Sequence, residues 1–364
     1  MVRKKGHDGG FFGITARVLM LLAAFLLFLS YASVVVNPSK AWFMTLLGLL
    51  FVPIALLNLI LLVWAIRRKS SAFLIPLLAL LPSIILIGRY FQFSSGGAEK
   101  GENSLKIVSY NVGRFNMGKD KARALNKKAC LDSVVRFIKE TEADIVCLQE
   151  VDLKDYDVKN FFQERFPEYD AGYFMFINRK GAYGNVTLSR FPIVDKGKLQ
   201  FEKSSNLAIY TDLKVNQGST VRVYNCHFES YNISLTNLVK SWNRDSTLVK
   251  NAERRIKRSI TRRPQQVEQV MSDIEDCPLE TFVAGDFNDN PMSYTYYRLM
   301  KGRKDTFVEA GKGFGASYSG LWPFVRIDYV LCPRHFKAVS NHIPKKKYSD
   351  HYPVVAEVNL QESY

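Results

Sequence analysis

Three long apolar runs fill the first quarter of the chain, and short alternating runs fill the rest. Val18–Val36 and Ala41–Ile66 carry no charge, while Ser70–Gly88 is shorter and contains Pro76 and Pro82. A hydrocarbon core of about 30 Å needs roughly 20 apolar residues in a helix. The pattern therefore predicts three transmembrane helices, at about 14–36, 41–66 and 70–90. The two prolines predict a kink in the third, which a membrane helix tolerates when neighbours satisfy the released carbonyls. Basic residues cluster before the first run (Arg3, Lys4, Lys5) and between the second and third (Arg67, Arg68, Lys69), whereas the link after the first run offers only Lys40. By the positive-inside rule both clusters face the cytoplasm, and three crossings then place the remainder outside it. No ionisable residue sits in the middle of a run, which points to an anchor rather than a transport pathway.

Beyond a polar, glycine-rich stretch at 94–104, expected as a linker, the period changes. KIVSYNV and DIVCLQEV read as buried strands, and Lys121–Glu142 as a helix with Leu131, Val134, Val135 and Ile138 on one face. Residues 169–225 hold several strands, the clearest turn signal being NQGS before TVRVYNCHF. A long basic helix over Ser246–Glu275 follows, then the strands TFVAGDF, RIDYVL and VVAEVNL. Strands interleaved with helices predict an α/β domain of two packed sheets covered by helices over 105–364.

Composition refines this picture in one respect. The chain has 364 residues and a net charge of +16, with 50 Lys+Arg against 34 Asp+Glu. The first 100 residues hold 10 basic and 2 acidic groups, leaving 40 against 32 for the rest, so each part carries +8. Half of the excess thus belongs to the apolar segment, and the total is not one nucleic-acid-binding patch. Five cysteines, all beyond residue 129, cannot pair completely and form no disulfide framework.

The informative polar residues stand at strand ends. Asn111 and Glu150 close the first two strands, His227 closes TVRVYNCHF, and Asp286 and Asn288 close TFVAGDFN. Asp328 lies within RIDYVL, and Asp350 and His351 precede the last strand. A sheet gathers strand ends on one rim, and carboxylates with amide oxygens make a site for a hard cation such as Mg²⁺ or Mn²⁺. HExxH, CxxC and GxSxG are absent from the sequence, and GKGFG at 311–315 lacks the Lys-Ser/Thr ending of a nucleotide-binding loop.

The ordered set SYNVGRF, LQEVD, YNCHFES, GDFNDNP, RIDYVL and SDHYPV resembles the endonuclease/exonuclease/phosphatase superfamily of metal-dependent phosphohydrolases over about residues 105–360. That resemblance implies a four-layered α/β/β/α sandwich with the site at one rim. It implies Glu150 as the principal metal ligand, with Asn111 beside it and Asp350 on the metal side. Asp286 would orient or deprotonate the attacking water, and Asn288 would bind phosphoryl oxygens. His351, its ring held by Asp328, would stabilise developing charge or donate a proton, and His227 matches members that carry a histidine here.

The expected activity is Mg²⁺-dependent hydrolysis of a phosphodiester or phosphomonoester of a lipid or small molecule, by a protein held in the bilayer, in a bacterial inner membrane with the catalytic domain outside the cytoplasm. A nuclease and a non-catalytic membrane scaffold are the alternatives. The basic run KNAERRIKRSITRRP, residues 250–264, reads either as a solvated helix face or as a contact for anionic lipid or nucleic-acid phosphates. Tyr294, Tyr296, Tyr297, Tyr318, Trp322 and Phe324 read mainly as core or loop packing.

Overall fold

The computed structural model describes residues 8–93, 96–116, 127–153, 156–178, 181–215, 219–231, 246–321, 323 and 325–360. Arg3, Lys4 and Lys5, residues 121–126 of the predicted helix, the NQG of the turn signal, Trp322 and Phe324 lie outside that set. The chain divides into two compact units, one formed by the first 88 residues with 292–294, the other by the remainder.

The first unit is helical: α1 (Asp8–Ala32), α2 (Trp42–Leu49), α3 (Phe51–Arg67) and α4 (Leu74–Leu86). Gly13–Ala32 and Ser71–Arg89 are each long and apolar enough to cross a membrane. The second predicted span is not one straight helix, because α2 and α3 meet at a bend of 58°. Pro53, the third residue of α3, explains the break: it has no N–H to give to Leu49, and its ring crowds that carbonyl. Large apolar side chains such as Ile14, Ile60 and Ile85 point away from the bundle and are 65%, 65% and 84% exposed. Polar groups turn inward instead. Asn58, fully buried, donates Nδ2 to Ile54 O (2.9 Å) within α3 and across to Ala23 O (3.0 Å) of α1, and Tyr31 of α1 donates to Ala79 O of α4 at 2.8 Å. Such interhelical bonds join apolar helices where burying apolar surface gives little drive.

The second unit is a four-layered α/β/β/α sandwich. Besides the short pair β1 (Phe91–Gln92) and β11 (Gly313–Phe314), two six-stranded sheets include the edge strands β4 (Asp170–Asn178), β6 (Ile193–Gln200) and β10 (Arg303–Asp305), in the orders β13-β14-β2-β3-β5-β4 and β10-β12-β9-β8-β7-β6. The strands that matter below are β2 (Ser104–Asn111), β3 (Ile145–Asp152), β5 (Gly181–Ser189), β7 (Leu207–Lys214), β8 (Thr220–His227), β9 (Glu280–Asp286), β12 (Asp328–Pro333), β13 (Lys337–His342) and β14 (Val354–Asn359). β2 runs parallel to β3 and β8 parallel to β9; the other neighbours are antiparallel. Alternation decides the layers. Ile107, Ile145 and Cys147 face Val223, Phe282, Ala284 and Val330 between the sheets. Val108, Val146 and Leu148 face outward onto α5 (Lys127–Thr141) and α6 (Val158–Arg165). Tyr224, Val283 and Leu331 face Val267, Val270 and Met271 of α7 (Ser246–Asp276). Each such aliphatic or aromatic side chain contributes about 1.5–3 kcal/mol on burial. The cysteines are all free, and Cys147 lies wholly inside this core, where burial pushes its thiol up to about 12.

Residues 96–103, expected as a linker, are tied to the sandwich edge. Ala98 N–H donates to Ala338 O, Gly101 N–H to Asn359 Oδ1, and Asn359 Nδ2 returns a bond to Glu99 O. The glycines that read as flexibility permit close approach here, since a Cβ on Gly97 would lie 1.9 Å from Val339 O.

Candidate active site

Sheet register brings the polar strand ends together. In the parallel pair β8/β9, His227 lies opposite Asp286, and in the antiparallel pair β9/β12, Asp286 lies opposite Asp328. Gly285 makes the first pairing possible: its φ is +141°, and a Cβ there would lie 1.9 Å from Cys226 O. Glu150 interrupts the pairing of β3 with β5, where the register shifts between Leu148 and Val151. Glu150 and Asn288 both hold left-handed backbone, φ +53° and +51°. Such conformations cost on the order of 1–3 kcal/mol and persist where surrounding structure fixes them.

Asp286 is the hub. Its Oδ1 accepts Asn288 N–H at 2.8 Å, and its Oδ2 accepts Asn111 Nδ2 at 2.9 Å and Asn288 Nδ2 at 3.1 Å. The Nε2 atoms of His227 and His351 each stand 3.8 Å from that same Oδ2. Burial pushes the Asp286 carboxyl up to about 6; His351 pulls it down, Asp328 pushes it up, and His227 and the Asn111 bond pull it down. His351 Nδ1 lies 3.0 and 3.2 Å from the two oxygens of the fully buried Asp328. A carboxylate acceptor there demands the proton on Nδ1 and leaves Nε2 facing Asp286. Burial alone would lower the His351 imidazolium, but Asp328 and Asp286 outweigh it and hold the ring well above its ordinary value.

Glu150 is only partly buried, 27% exposed at the side chain, and its Oε1 lies 3.4 Å from Asn111 Nδ2 and 3.5 Å from His227 Nε2. Among the described residues His227 Nε2 is buried without a hydrogen-bond partner, aimed between the Glu150 and Asp286 carboxylates. An orphaned nitrogen between two carboxylates marks room for an oxygen ligand that the protein itself does not supply. The oxygen-rich set of Glu150 and Asn111 fits a hard cation on the chemistry of its donors. Asp286, Asp328 and His351 also offer ligand atoms within 4.8 Å of one another. In that group His351 Nδ1 is already bonded to Asp328, which leaves Nε2 as the nitrogen able to meet a metal or pass a proton.

Seven of the eight residues expected from the sequence thus converge. Asp350 is exposed: its carboxylate accepts Ser349 Oγ at 3.3 Å, and its charge adds to those that raise the His351 ring. The Asn288 amide is spent on Phe228 O and Asp286, so it holds the hub carboxylate in place.

The structure adds residues that the sequence did not single out. Between the sheets, Gln149 Nε2 donates to Asn225 Oδ1 at 2.8 Å, Asn225 Nδ2 to Leu148 O and Val186 O, and Asn185 Nδ2 to Leu207 O and Asn225 O. These buried amides fix the sheets to one another directly behind Glu150. Their signal was available, since Asn225 and Gln149 are polar residues inside otherwise apolar strands. Arg263, in the basic run, is also buried: it pairs with Asp289 at 2.9 Å and donates Nε and Nη2 to Glu229 O. Arg254, Arg255, Lys257 and Arg258 of the same run are exposed.

The sequence pattern of the Endonuclease/Exonuclease/phosphatase family matches residues 108–351, about two thirds of the chain. The chain belongs to this family. Its members are usually hydrolases of phosphoester bonds and typically use a divalent metal. Residues 13–90 match a second family, a domain of unknown function (DUF8431). No curated protein of similar sequence matches.

Solved structures share the family fold at low identity. A family protein from Beutenbergia cavernae is 17% identical with a TM-score of 0.51, over 71% of this chain and 72% of that one. The human Nocturnin catalytic domain with bound sulfate is 15% identical with a TM-score of 0.52, over 70% of this chain and 94% of that one. D. rerio TDP2 complexed with a single-strand DNA product is 17% identical with a TM-score of 0.51, over 71% of this chain and 100% of that one.

Proposed function

We propose that the protein is a membrane-anchored, Mg²⁺-dependent phosphoesterase acting on a phosphodiester or phosphomonoester of a lipid or small phosphorylated molecule. The observation that carries this reading is the convergence of two histidines and two asparagines on the buried Asp286, with the more exposed Glu150 at its mouth. A bound Mg²⁺ would be held by Glu150 and Asn111 and would neutralise charge on the phosphoryl group. Asp286 Oδ2 aims a water at phosphorus in line with the leaving oxygen and takes its proton as the new P–O bond forms. His351 Nε2 gives a proton to the leaving oxygen as the old P–O bond breaks, and Asp328 stabilises the ring in its charged state. His227 Nε2 faces the negative charge that develops on the phosphoryl oxygens.

Membrane attachment is supported by the exposed apolar faces of the helical unit, which are costly in water and suited to lipid chains. Counting the bent α2/α3 pair as one span would give three crossings, which with the basic clusters on the inner side supports a catalytic domain outside the cytoplasm. Protease added to spheroplasts of an expressing bacterium is expected to degrade that domain. Protection until the membrane is permeabilised would reverse the orientation.

The nuclease reading is favoured by the exposed arginines of α7. Hydrolysis of bis-p-nitrophenyl phosphate, sphingomyelin, inositol phosphates and plasmid DNA by the full chain in detergent separates the two. Release from a lipid or small ester, lost with EDTA and in Glu150→Ala, with DNA intact, is the expected result. DNA nicking lost in the same variant would establish the nuclease instead, and turnover that survives both EDTA and Glu150→Ala would sink the site assignment.

A further inference from the structure

Gly113, Arg114 and Phe115 have consecutive positive φ angles of 52°, 58° and 56°. For the arginine and the phenylalanine such backbone is strained and persists only where the surrounding structure fixes it. The turn is clamped from inside: Gly113 N–H donates to Asn111 Oδ1 at 3.0 Å, Phe115 N–H to Val112 O at 2.9 Å, and the Phe115 ring is buried in the core. Its consequence is to throw Arg114 outward, 54% exposed at the side chain, over the mouth of the site.

There the guanidinium lies 4.6 Å over the Tyr183 ring, and Nε stands 3.6 Å from Glu150 Oε2. Tyr183 is itself held, donating its hydroxyl to Ser205 O at 2.6 Å. Neutralising Glu150 does not explain the arrangement, because a half-exposed pair at this distance stabilises too little to offset the strain. The two oxygens of Glu150 divide the space. Oε1 faces Asn111 and His227, where the scissile phosphoryl group is handled, and Oε2 faces Arg114. A group gripped by Arg114 therefore lies beside the scissile phosphoryl group rather than at it. The same rim carries more positive charge, because Arg258 and Arg262 lie 3.9 and 3.8 Å from Glu229 Oε1, and Ser204 Oγ donates to Glu229 Oε2.

We propose that Arg114, backed by Tyr183, forms a subsite for a second phosphate on the substrate, so that doubly phosphorylated substrates are preferred. This deepens the phosphoesterase reading and rests on it. A planar guanidinium with one face on an aromatic ring and an edge toward solvent is preorganised to take phosphate oxygens in pairs. The second phosphate is supplied either by a bisphosphorylated headgroup or by the next linkage of a nucleic-acid strand.

The test is calorimetric binding to the full chain in detergent with Mg²⁺, using two matched pairs: inositol 1-phosphate with inositol 1,4-bisphosphate, and the dinucleotide TpT with pTpT. The doubly phosphorylated member of one pair is expected to bind about tenfold tighter, equivalent to about 1.4 kcal/mol. Arg114→Ala should erase that advantage, and Arg114→Lys should keep part of it while circular dichroism shows both variants folded. Preference within the inositol pair assigns a headgroup; preference within the dinucleotide pair assigns a strand. Equal binding within both pairs, no binding of any of the four, or discrimination unchanged in Arg114→Ala would overturn the subsite. Turnover of bis-p-nitrophenyl phosphate, followed in parallel, judges the phosphoesterase reading separately: discrimination without turnover removes that reading and leaves the subsite.

Discussion

Asp286→Asn is expected to lower kcat by at least about a thousandfold while the protein stays folded, since the amide keeps the size of the side chain but cannot take a proton from water. Asp286 is the one group touched by Asn111, Asn288 and, at 3.8 Å, both histidines. The pH profile gives an independent check. With its carboxyl raised to about 6 by burial, Asp286 is protonated below that value and cannot act as a base. Activity of the wild type should therefore fall as pH drops through about 6. His351, held well above its ordinary value by Asp328 and Asp286 against its burial, should lose its proton, and activity with it, only on the alkaline side of that ordinary value. The residual activity of Asp286→Asn should lack the acidic limb. A variant within tenfold of wild type, or one retaining that limb, would exclude Asp286 as the base.

Asp305→Ala is expected to cost about 3–5 kcal/mol, the usual consequence of stranding one partner of a buried ion pair. Arg326 Nη2 lies 2.6 Å from Asp305 Oδ1, with both side chains at most 1% exposed. The Asp305 carboxylate also accepts Tyr296 OH at 2.8 Å and Phe307 N–H at 2.9 Å, and the guanidinium packs against the Phe307 and Tyr329 rings. Removing the carboxylate leaves a buried charge two residues before Asp328, so the histidine relay should suffer with the fold. For a domain of this size the melting temperature should fall on the order of 10 °C. The double variant Asp305→Ala/Arg326→Met should recover part of the loss, because the orphaned charge goes with it. A drop of under about 2 °C in the single variant would show that the pair carries no net stabilisation.

Much of this architecture is legible without coordinates, for a local reason. Strand and helix periods are written in successive residues, so the strands with Asn111, Glu150, His227 and Asp286 at or near their ends could be read one at a time. The long helix expected over Ser246–Glu275 is observed as Ser246–Asp276. What misled was local chemistry with two meanings. The glycines of the expected linker served close packing against β13 rather than slack, and the basic run mixed an exposed face with a buried Arg263. The apolar run at 41–66 gave a length but not the bend, although Pro53 was its signal.

By itself, then, the sequence determined the apolar helices, the alternating layers, the polar residues closing the strands and, through their order, the family. The tertiary structure alone decided which of those residues meet. Asp286 reaches His227 through parallel pairing and Asp328 through antiparallel pairing, and the sheet packing held by the intersheet amides brings Glu150 within 3.5 Å of His227. It also decided that Asp350 stays exposed and that Arg114 is turned to the mouth of the site. The physical reason is range: periodicity and turn chemistry act between neighbours in the chain, whereas register, burial and left-handed strain are fixed by packing against segments tens to hundreds of residues away.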